Sequence, residues 1–374
     1  MAVIKVLVVD DSALMRRQLT QLFQAEGDFE VRQARNGVEA VAENLAFEPD
    51  VLTLDINMPE MDGITALSLI MSGRPVPVVM VSSLTEKGAL ATFEALNLGA
   101  VDYVAKPGGT ISLSLEQVRQ ELIHKVRVAA SARLQPGRPR VQQQQQQQQA
   151  ASSRARLRAV AKPNLSTAPR AVPPRSVALG SGPQEGLLLI GVSTGGPRAL
   201  ETLLPALPVD FPWPVLVAQH MPASFTGPFA ARLNRLCALE VLEANRPMAL
   251  LPGRVYIGRG GADMVLSRRA GQLHVMPRPE AAEMLWHPSV ELLGRSALAL
   301  LPAASLSAVM LTGMGHDGAD AFAAIRQGGG RTIAESSETA VVFGMPAELI
   351  ARGGAGLVLP LERIAPQLLL WARR

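Results

Sequence analysis

The first long apolar run of the chain, Val6-Leu7-Val8-Val9, has no polar alternation. Such a run predicts a strand buried on both faces of a parallel sheet. Ser12 follows and can cap a helix whose apolar side carries Leu14, Leu19, Leu22 and Phe23. Residues 51–54, 78–81 and 101–103 read as further buried strands, with helical spacing between them. Repeated strand–helix units of this kind predict a doubly wound, flavodoxin-like α/β domain over residues 1–124.

The pattern then stops. Residues 133–184 hold eight consecutive glutamines at 142–149, repeated Pro and Arg, and Ser-rich turns. Too little apolar surface is available there to offset the entropy of ordering the chain. The reading is a flexible basic, glutamine-rich linker over 125–184, beginning as a helix that ends near 128–132. Order resumes at Leu187-Leu188-Leu189-Ile190, and apolar segments at 215–218, 255–257, 308–311 and 332–334 predict more buried strands. Helical patterns after Gly196, Thr226, Gly318 and Met345 complete a second, parallel-sheet α/β domain over 185–374.

Charge changes the picture because it is unevenly placed. The 374 residues carry 36 Lys+Arg and 32 Asp+Glu, net +4. Residues 1–124 are net −8, residues 125–180 net +11 with no acidic residue, and residues 181–374 net +1. The basic character therefore belongs to the linker. A nucleic-acid-binding output is disfavoured: the C-terminal domain is nearly neutral, aromatics make up 4% of the chain, and no recognition helix is evident. A single cysteine, Cys237, excludes an internal disulfide framework and a Cys-rich zinc site. The first apolar run is cut off by Asp10-Asp11, too early for a signal peptide. The most membrane-like stretch, 296–312, is broken by Pro302, Ser305 and Ser307 and reads as a buried helix followed by a strand. These features predict a cytoplasmic protein without membrane insertion.

In open α/β sheets, function collects at the carboxyl ends of the strands. In the first domain those ends bring together Asp10, Asp11, Asp55, Ser82 and Lys106. Three carboxylates need a compensating cation, and hard oxygen ligands in an open geometry suit Mg2+. With charge neutralised by the metal and Lys106, Asp55 is placed to act as a nucleophile and become an acyl phosphate. Ser82 would donate to the new phosphate oxygens and switch the surface around Tyr103. Val8-Val9-Asp10-Asp11-Ser12, Leu54-Asp55-Ile56-Asn57-Met58-Pro59, Met61-Asp62-Gly63 and Lys106-Pro107 resemble the receiver domain of bacterial response regulators.

In the second domain, residues 187–190 run into Gly191-Val192-Ser193-Thr194-Gly195-Gly196-Pro197. This loop lacks the Lys-Ser/Thr of a P-loop and the spacing of a dinucleotide fingerprint. It fits the G-x-S-x-G nucleophile elbow, and the pattern alone also allows a purely structural turn. A nucleophilic Ser193 needs a base, and there are five histidines. His220 follows the strand at 215–218, so it shares the strand-end location of Ser193. Asp317, in the Gly-rich loop after 308–311, is the candidate orienting carboxylate. The backbone N–H groups of Thr194 and Met314 are candidates for an oxyanion site. The chain order Ser…His…Asp differs from the Ser…Asp/Glu…His of α/β-hydrolases, which argues against a lipase-type fold.

The segments 190–197, Gln219-His220-Met221-Pro222, 311–319, His287-Pro288-Ser289-Val290 and Val342-Phe343-Gly344-Met345-Pro346 resemble the catalytic domain of the protein-glutamate methylesterases of chemotaxis. The resemblance implies hydrolysis of glutamyl methyl esters on methyl-accepting chemoreceptors, with methanol released, and deamidation of particular glutamines. It also implies a chemotaxis histidine kinase as phosphodonor, an unphosphorylated receiver packed over the Ser193 cleft, and no cofactor for the ester reaction. Three features depart from the family: Arg259 and its neighbours replace the usual Ala-Pro-Gly and His in the segment 257–263, His316 adjoins Asp317, and the linker is long. A response regulator whose output is binding alone, and a general carboxylesterase, are the rival readings.

Overall fold

The structure is a computed structural model that describes residues 3–82, 86–106, 112–132 and 186–373. The N-terminal domain runs β1 (Ile4–Val9), α1 (Ala13–Glu26), β2 (Phe29–Ala34), α2 (Gly37–Phe47), β3 (Val51–Asp55), α3 (Gly63–Gly73), β4 (Val78–Ser82), α4 (Glu86–Leu98), β5 (Asp102–Ala105) and α5 (Ser112–Ala130). Its sheet is parallel with order β2-β1-β3-β4-β5. Winding reverses at β1, so a crevice opens at the carboxyl ends of β1 and β3. The helices start where short polar side chains cap them: Ser12 Oγ accepts from Met15 N at 3.3 Å, and Asp62 Oδ1 from Thr65 N at 2.7 Å.

Helix α5 runs to Ala130, past the expected domain boundary at 124 and within the expected helix end. The rest of the expected linker, from 133 to 184, lies outside the described residues, as do Ser83 and Pro107.

The C-terminal domain contains β6 (Leu187–Val192), α6 (Gly196–Leu203), β7 (Val215–Gln219), α7 (Ala223–Leu236), β8 (Glu240–Ala244), β9 (Met248–Ala249), β10 (Arg254–Gly258), β11 (Asp263–Arg269) and β12 (Gln272–Arg278). Then follow α8 (Val290–Leu298), β13 (Leu306–Met310), α9 (Ala319–Gln327), β14 (Arg331–Glu335), α10 (Met345–Ala351), β15 (Leu357–Leu359) and α11 (Leu361–Ala372). Seven strands form a parallel sheet of order β15-β14-β13-β6-β7-β10-β8, and β11-β12-β9 form a small antiparallel sheet. The winding reverses at β6, placing a second crevice at the ends of β6 and β13. Strands β6, β7 and β13 are buried along their whole length, in keeping with the apolar runs at 187–190, 215–218 and 308–311. The helix expected after Thr226 starts three residues earlier, at Ala223, with Pro222 at its N-cap.

The two domains share one apolar cluster. Tyr103 of β5 stacks on Phe225 of α7 with ring centroids 4.7 Å apart. Phe93 of α4 lies 5.2 Å from Phe229 and 6.1 Å from Phe225. All four rings are buried, and removing each from water contributes roughly 1.5–3 kcal/mol. Tyr103 therefore faces a partner domain and not open solvent.

Candidate active site

In the receiver crevice, Asp10, Asp11 and Asp55 bring one carboxylate oxygen each within 4.8 Å of the others. Lys106 Nζ stands 2.9 Å from Asp10 Oδ2 and 2.7 Å from Asp55 Oδ2. Asp10 and Asp55 are buried and Asp11 is exposed. Burial pushes the Asp55 carboxyl above its usual value, although the Lys106 ammonium pulls the other way. Burial would lower Lys106, but Asp55 and Asp10 overcome it and hold the ammonium above its usual value. Asp55 Oδ1 accepts from Ile56 N at 2.7 Å, and Asp10 Oδ1 from Ser12 N at 2.9 Å. Ser82, at the end of β4, is buried and donates to Gly88 O at 3.4 Å. Asp10, Asp11, Asp55 and Lys106 come together as expected, while the Ser82 hydroxyl at the end of the neighbouring strand is turned to Gly88 O. The three acidic oxygens form a hard donor set that fits a small divalent cation.

In the second domain, β6 turns into α6 through Gly195, whose φ of +78° suits glycine. Ser193 sits on this turn, its N–H donating to Thr312 O at 3.0 Å and its carbonyl accepting from Gly196 N at 2.8 Å and Gln219 Nε2 at 3.1 Å. Val192 pairs with Gln219 across β6 and β7, which sets Ser193 and His220 side by side at the next position. His220 Nε2 is 2.8 Å from Asp317 Oδ2. An ionised carboxylate only accepts, so Nε2 carries a hydrogen, and in the neutral imidazole Nδ1 is then the acceptor. Nδ1 is buried and has no hydrogen-bond partner among the described residues.

Asp317 is held from the far side by the start of α8. Its Oδ1 accepts from Ser289 Oγ at 2.9 Å and Glu291 N at 3.0 Å, and its Oδ2 accepts from Val290 N at 2.7 Å. Burial would raise this carboxyl, but the His220 imidazole and these N–H groups outweigh it and hold Asp317 below the usual carboxylate range. No hydrogen bond among the described residues uses the N–H of Thr194 or Met314. His316 is exposed and does not share the Asp317 carboxylate.

Sequence reasoning missed several supports. Asp263, inside the segment that departs from the family, accepts from Ser289 N at 2.9 Å, Ala281 N at 2.8 Å and His287 Nδ1 at 3.0 Å. It ties the start of α8, and hence Asp317, to β11. Asp102 begins β5 and Glu335 ends β14, and both carboxyls are buried against apolar strand residues.

A receiver fold joined in one chain to a parallel α/β domain whose strand ends carry Ser193, His220 and Asp317 defines a response regulator with an enzymatic output. Residues 6–116 match the response regulator receiver domain and residues 188–368 the CheB methylesterase. The chain is 52% identical over 370 residues to the protein-glutamate methylesterase/protein-glutamine glutaminase 3 of Rhodospirillum rubrum, covering 99% of this chain and 96% of that one. It is 49% identical over 368 residues to the corresponding protein 2 of Rhodopseudomonas palustris, covering 98% of each. The solved catalytic domain of Thermotoga maritima CheB is 38% identical, covers 50% of this chain and 98% of its own, and aligns with a TM-score of 0.48. The chain belongs to the protein-glutamate methylesterase/protein-glutamine glutaminase family.

Proposed function

We propose that this chain hydrolyses glutamyl methyl esters and deamidates glutamines on methyl-accepting chemoreceptors, using Ser193, His220 and Asp317 under control of a receiver phosphorylated at Asp55. One observation carries the catalytic assignment: the imidazole at the end of β7 is anchored through Nε2 to Asp317 while Nδ1 stays bare beside the nucleophile turn.

In this reading His220 Nδ1 takes the Ser193 proton as Oγ bonds to the carbonyl carbon. The Thr194 and Met314 N–H groups receive the developing oxyanion. The imidazolium returns its proton to the leaving oxygen or nitrogen, and methanol or ammonia departs. Water then adds to the acyl-enzyme with His220 again as base, restoring Ser193 and leaving a glutamate. The Ser-His-Asp set supplies nucleophile, base and charge stabilisation, so the ester step is assigned no cofactor.

At the receiver, Asp10, Asp11 and Asp55 would hold Mg2+, which supplies charge neutralisation for the incoming phosphoryl group. Asp55 accepts that group from a chemotaxis histidine kinase, and Lys106 and Ser82 contact it. The docked receiver seen here, with Tyr103 against Phe225, is the inhibited form, and phosphorylation shifts the population away from it. The domains are assigned as receiver 1–124, linker 125–184 and catalytic domain 185–374. Among the described residues no helix is long and apolar enough to cross a membrane, and the cytoplasm is the proposed location.

The deciding measurement is methanol release from methylated receptor. Ser193→Ala should lose at least about 10^3-fold in kcat. Unchanged release by that variant would overturn the assignment.

A further inference from the structure

Trp286 lies between two imidazoles. Its indole stacks on His220 with ring centroids 5.5 Å apart and planes 7° from parallel. It meets His316 edge-on, at 5.8 Å and 84°. Gly315 gives the indole its place: φ is +86°, and a β-carbon there would stand 2.8 Å from the ring atom Cη2. The segment after Trp286 is tied down independently, by His287 Nδ1 and Ser289 N on Asp263 Oδ1 and by Ser289 Oγ on Asp317 Oδ1. One short loop therefore fixes both the carboxylate at the edge of His220 and the aromatic ring on its face.

The hydrogen bond to Asp317 restrains His220 at a single atom. It leaves the ring free to tilt about that contact, and a tilt moves Nδ1 relative to the nucleophile turn. A parallel indole face removes this freedom. The contact also strengthens during the reaction: an indole face attracts a cation, and His220 gains its charge only on accepting a proton. An interaction that grows toward the transition state affects kcat more than substrate binding.

We propose that Trp286 is a positioning residue for the hydrolytic step, holding the plane of His220 and stabilising its imidazolium. The proposal rests on the reading of His220 as general base. The sequence pattern did not expose this role, because Trp286 lies 66 positions from His220 and on no strand end.

The test uses the full-length protein with Trp286→Leu and Trp286→Phe, and with Ser193→Ala beside them. Trp286→Leu should lower kcat for methanol release by about five- to tenfold with KM within about twofold. Trp286→Phe should recover to within about twofold of the parent, since a parallel ring remains. In NMR spectra of histidine-labelled protein, the His220 ring protons should show an upfield ring-current shift that is kept in Trp286→Phe and lost in Trp286→Leu. A raised KM with kcat preserved would make Trp286 a substrate contact and overturn the proposal. So would unchanged kinetics in Trp286→Leu, failure of phenylalanine to rescue, or absence of the ring-current shift in the parent. Full release by Ser193→Ala would instead overturn the triad itself, and the ring-current result would still report the stacking.

Discussion

Thr194, the residue after Ser193, donates its hydroxyl to Asp102 Oδ2 of the receiver at 2.5 Å. Both residues are buried, with 4% and 6% exposure. Lys125 Nζ lies 3.5 Å from Asp102 Oδ1, pairs with Glu121 at 2.9 Å and donates to Tyr103 O at 2.8 Å. Burial would lower the Lys125 ammonium, but Asp102 and Glu121 outweigh it and keep it charged. A salt-bridged carboxylate of β5 thus grips the turn that carries the proposed nucleophile, alongside the aromatic contact of Tyr103 with Phe225.

That grip predicts the behaviour of Asp102→Ala. A hydrogen bond to a charged group contributes about 1.5–3 kcal/mol. Removing it weakens docking, so methanol release without any phosphodonor should rise by about tenfold. The same assay with phosphodonor should show a correspondingly smaller activation. An unchanged basal rate would mean that the apolar cluster alone holds the receiver down.

Asp317 is predicted to be the most sensitive position after Ser193. It accepts four hydrogen bonds, one of them from His220. Asp317→Asn replaces an acceptor oxygen by a donor, which cannot face both His220 and the N–H groups of α8. The imidazole then loses its tautomer, and kcat should fall by roughly 10^3–10^4-fold. Stability at neutral pH should fall as well. The Asp317 carboxyl is depressed in the folded state, so its contribution is present above the unfolded carboxylate value and lost as pH drops through the folded one. Denaturation midpoints at pH 7 and pH 3 should therefore separate parent and variant far more at pH 7.

Most of both cores was legible because their strands are buried on both faces and leave apolar runs such as residues 6–9, 187–190 and 308–311. The strands that escaped reading are edges or two-sided: β2 is exposed at Glu30, Arg32 and Gln33, and β8 begins with exposed Glu240. Their sequences carry no continuous apolar signal. Ser193, His220 and Asp317 were singled out as candidates because each follows a buried strand. Their supports were not, because Asp263, Ser289 and Trp286 lie on loops whose partners are set by tertiary packing, and Asp102 gains its meaning only from Thr194 across a domain contact.

The receiver cluster predicts metal-dependent phosphorylation at one residue. With a small-molecule phosphodonor, Asp55→Ala should take up no phosphate, read by intact-protein mass spectrometry, and its methanol release should not respond to the donor. Chelation with EDTA should abolish phosphate uptake by the parent, and added Mg2+ should restore it. Phosphate on another residue in the variant would displace Asp55 from its role.

Glu335 predicts a stability change near neutral pH. It ends β14, has no exposed surface, and accepts from Thr312 N at 2.8 Å through Oε2. Thr312 in turn accepts from Ser193 N at 3.0 Å and donates to Thr194 O at 2.9 Å, so this carboxyl backs the nucleophile turn. Burial raises it to about 7, against the pull of the Thr312 N–H. The unfolded chain releases this proton near the ordinary glutamate value, and the folded chain holds it until about pH 7. Between those limits the folded state binds more protons, so stability falls as pH rises. The contribution is fully present below the unfolded value and gone above the folded one, a change of about 3 kcal/mol. Glu335→Gln keeps an oxygen for Thr312 N and removes the titration. Urea denaturation at pH 5 and pH 8 should therefore show the variant gaining on the parent by roughly 2–3 kcal/mol between the two conditions, slightly less than the full change because pH 5 already lies above the unfolded value. A parent–variant difference that stays constant across that range would show that Glu335 is ionised in the folded protein throughout.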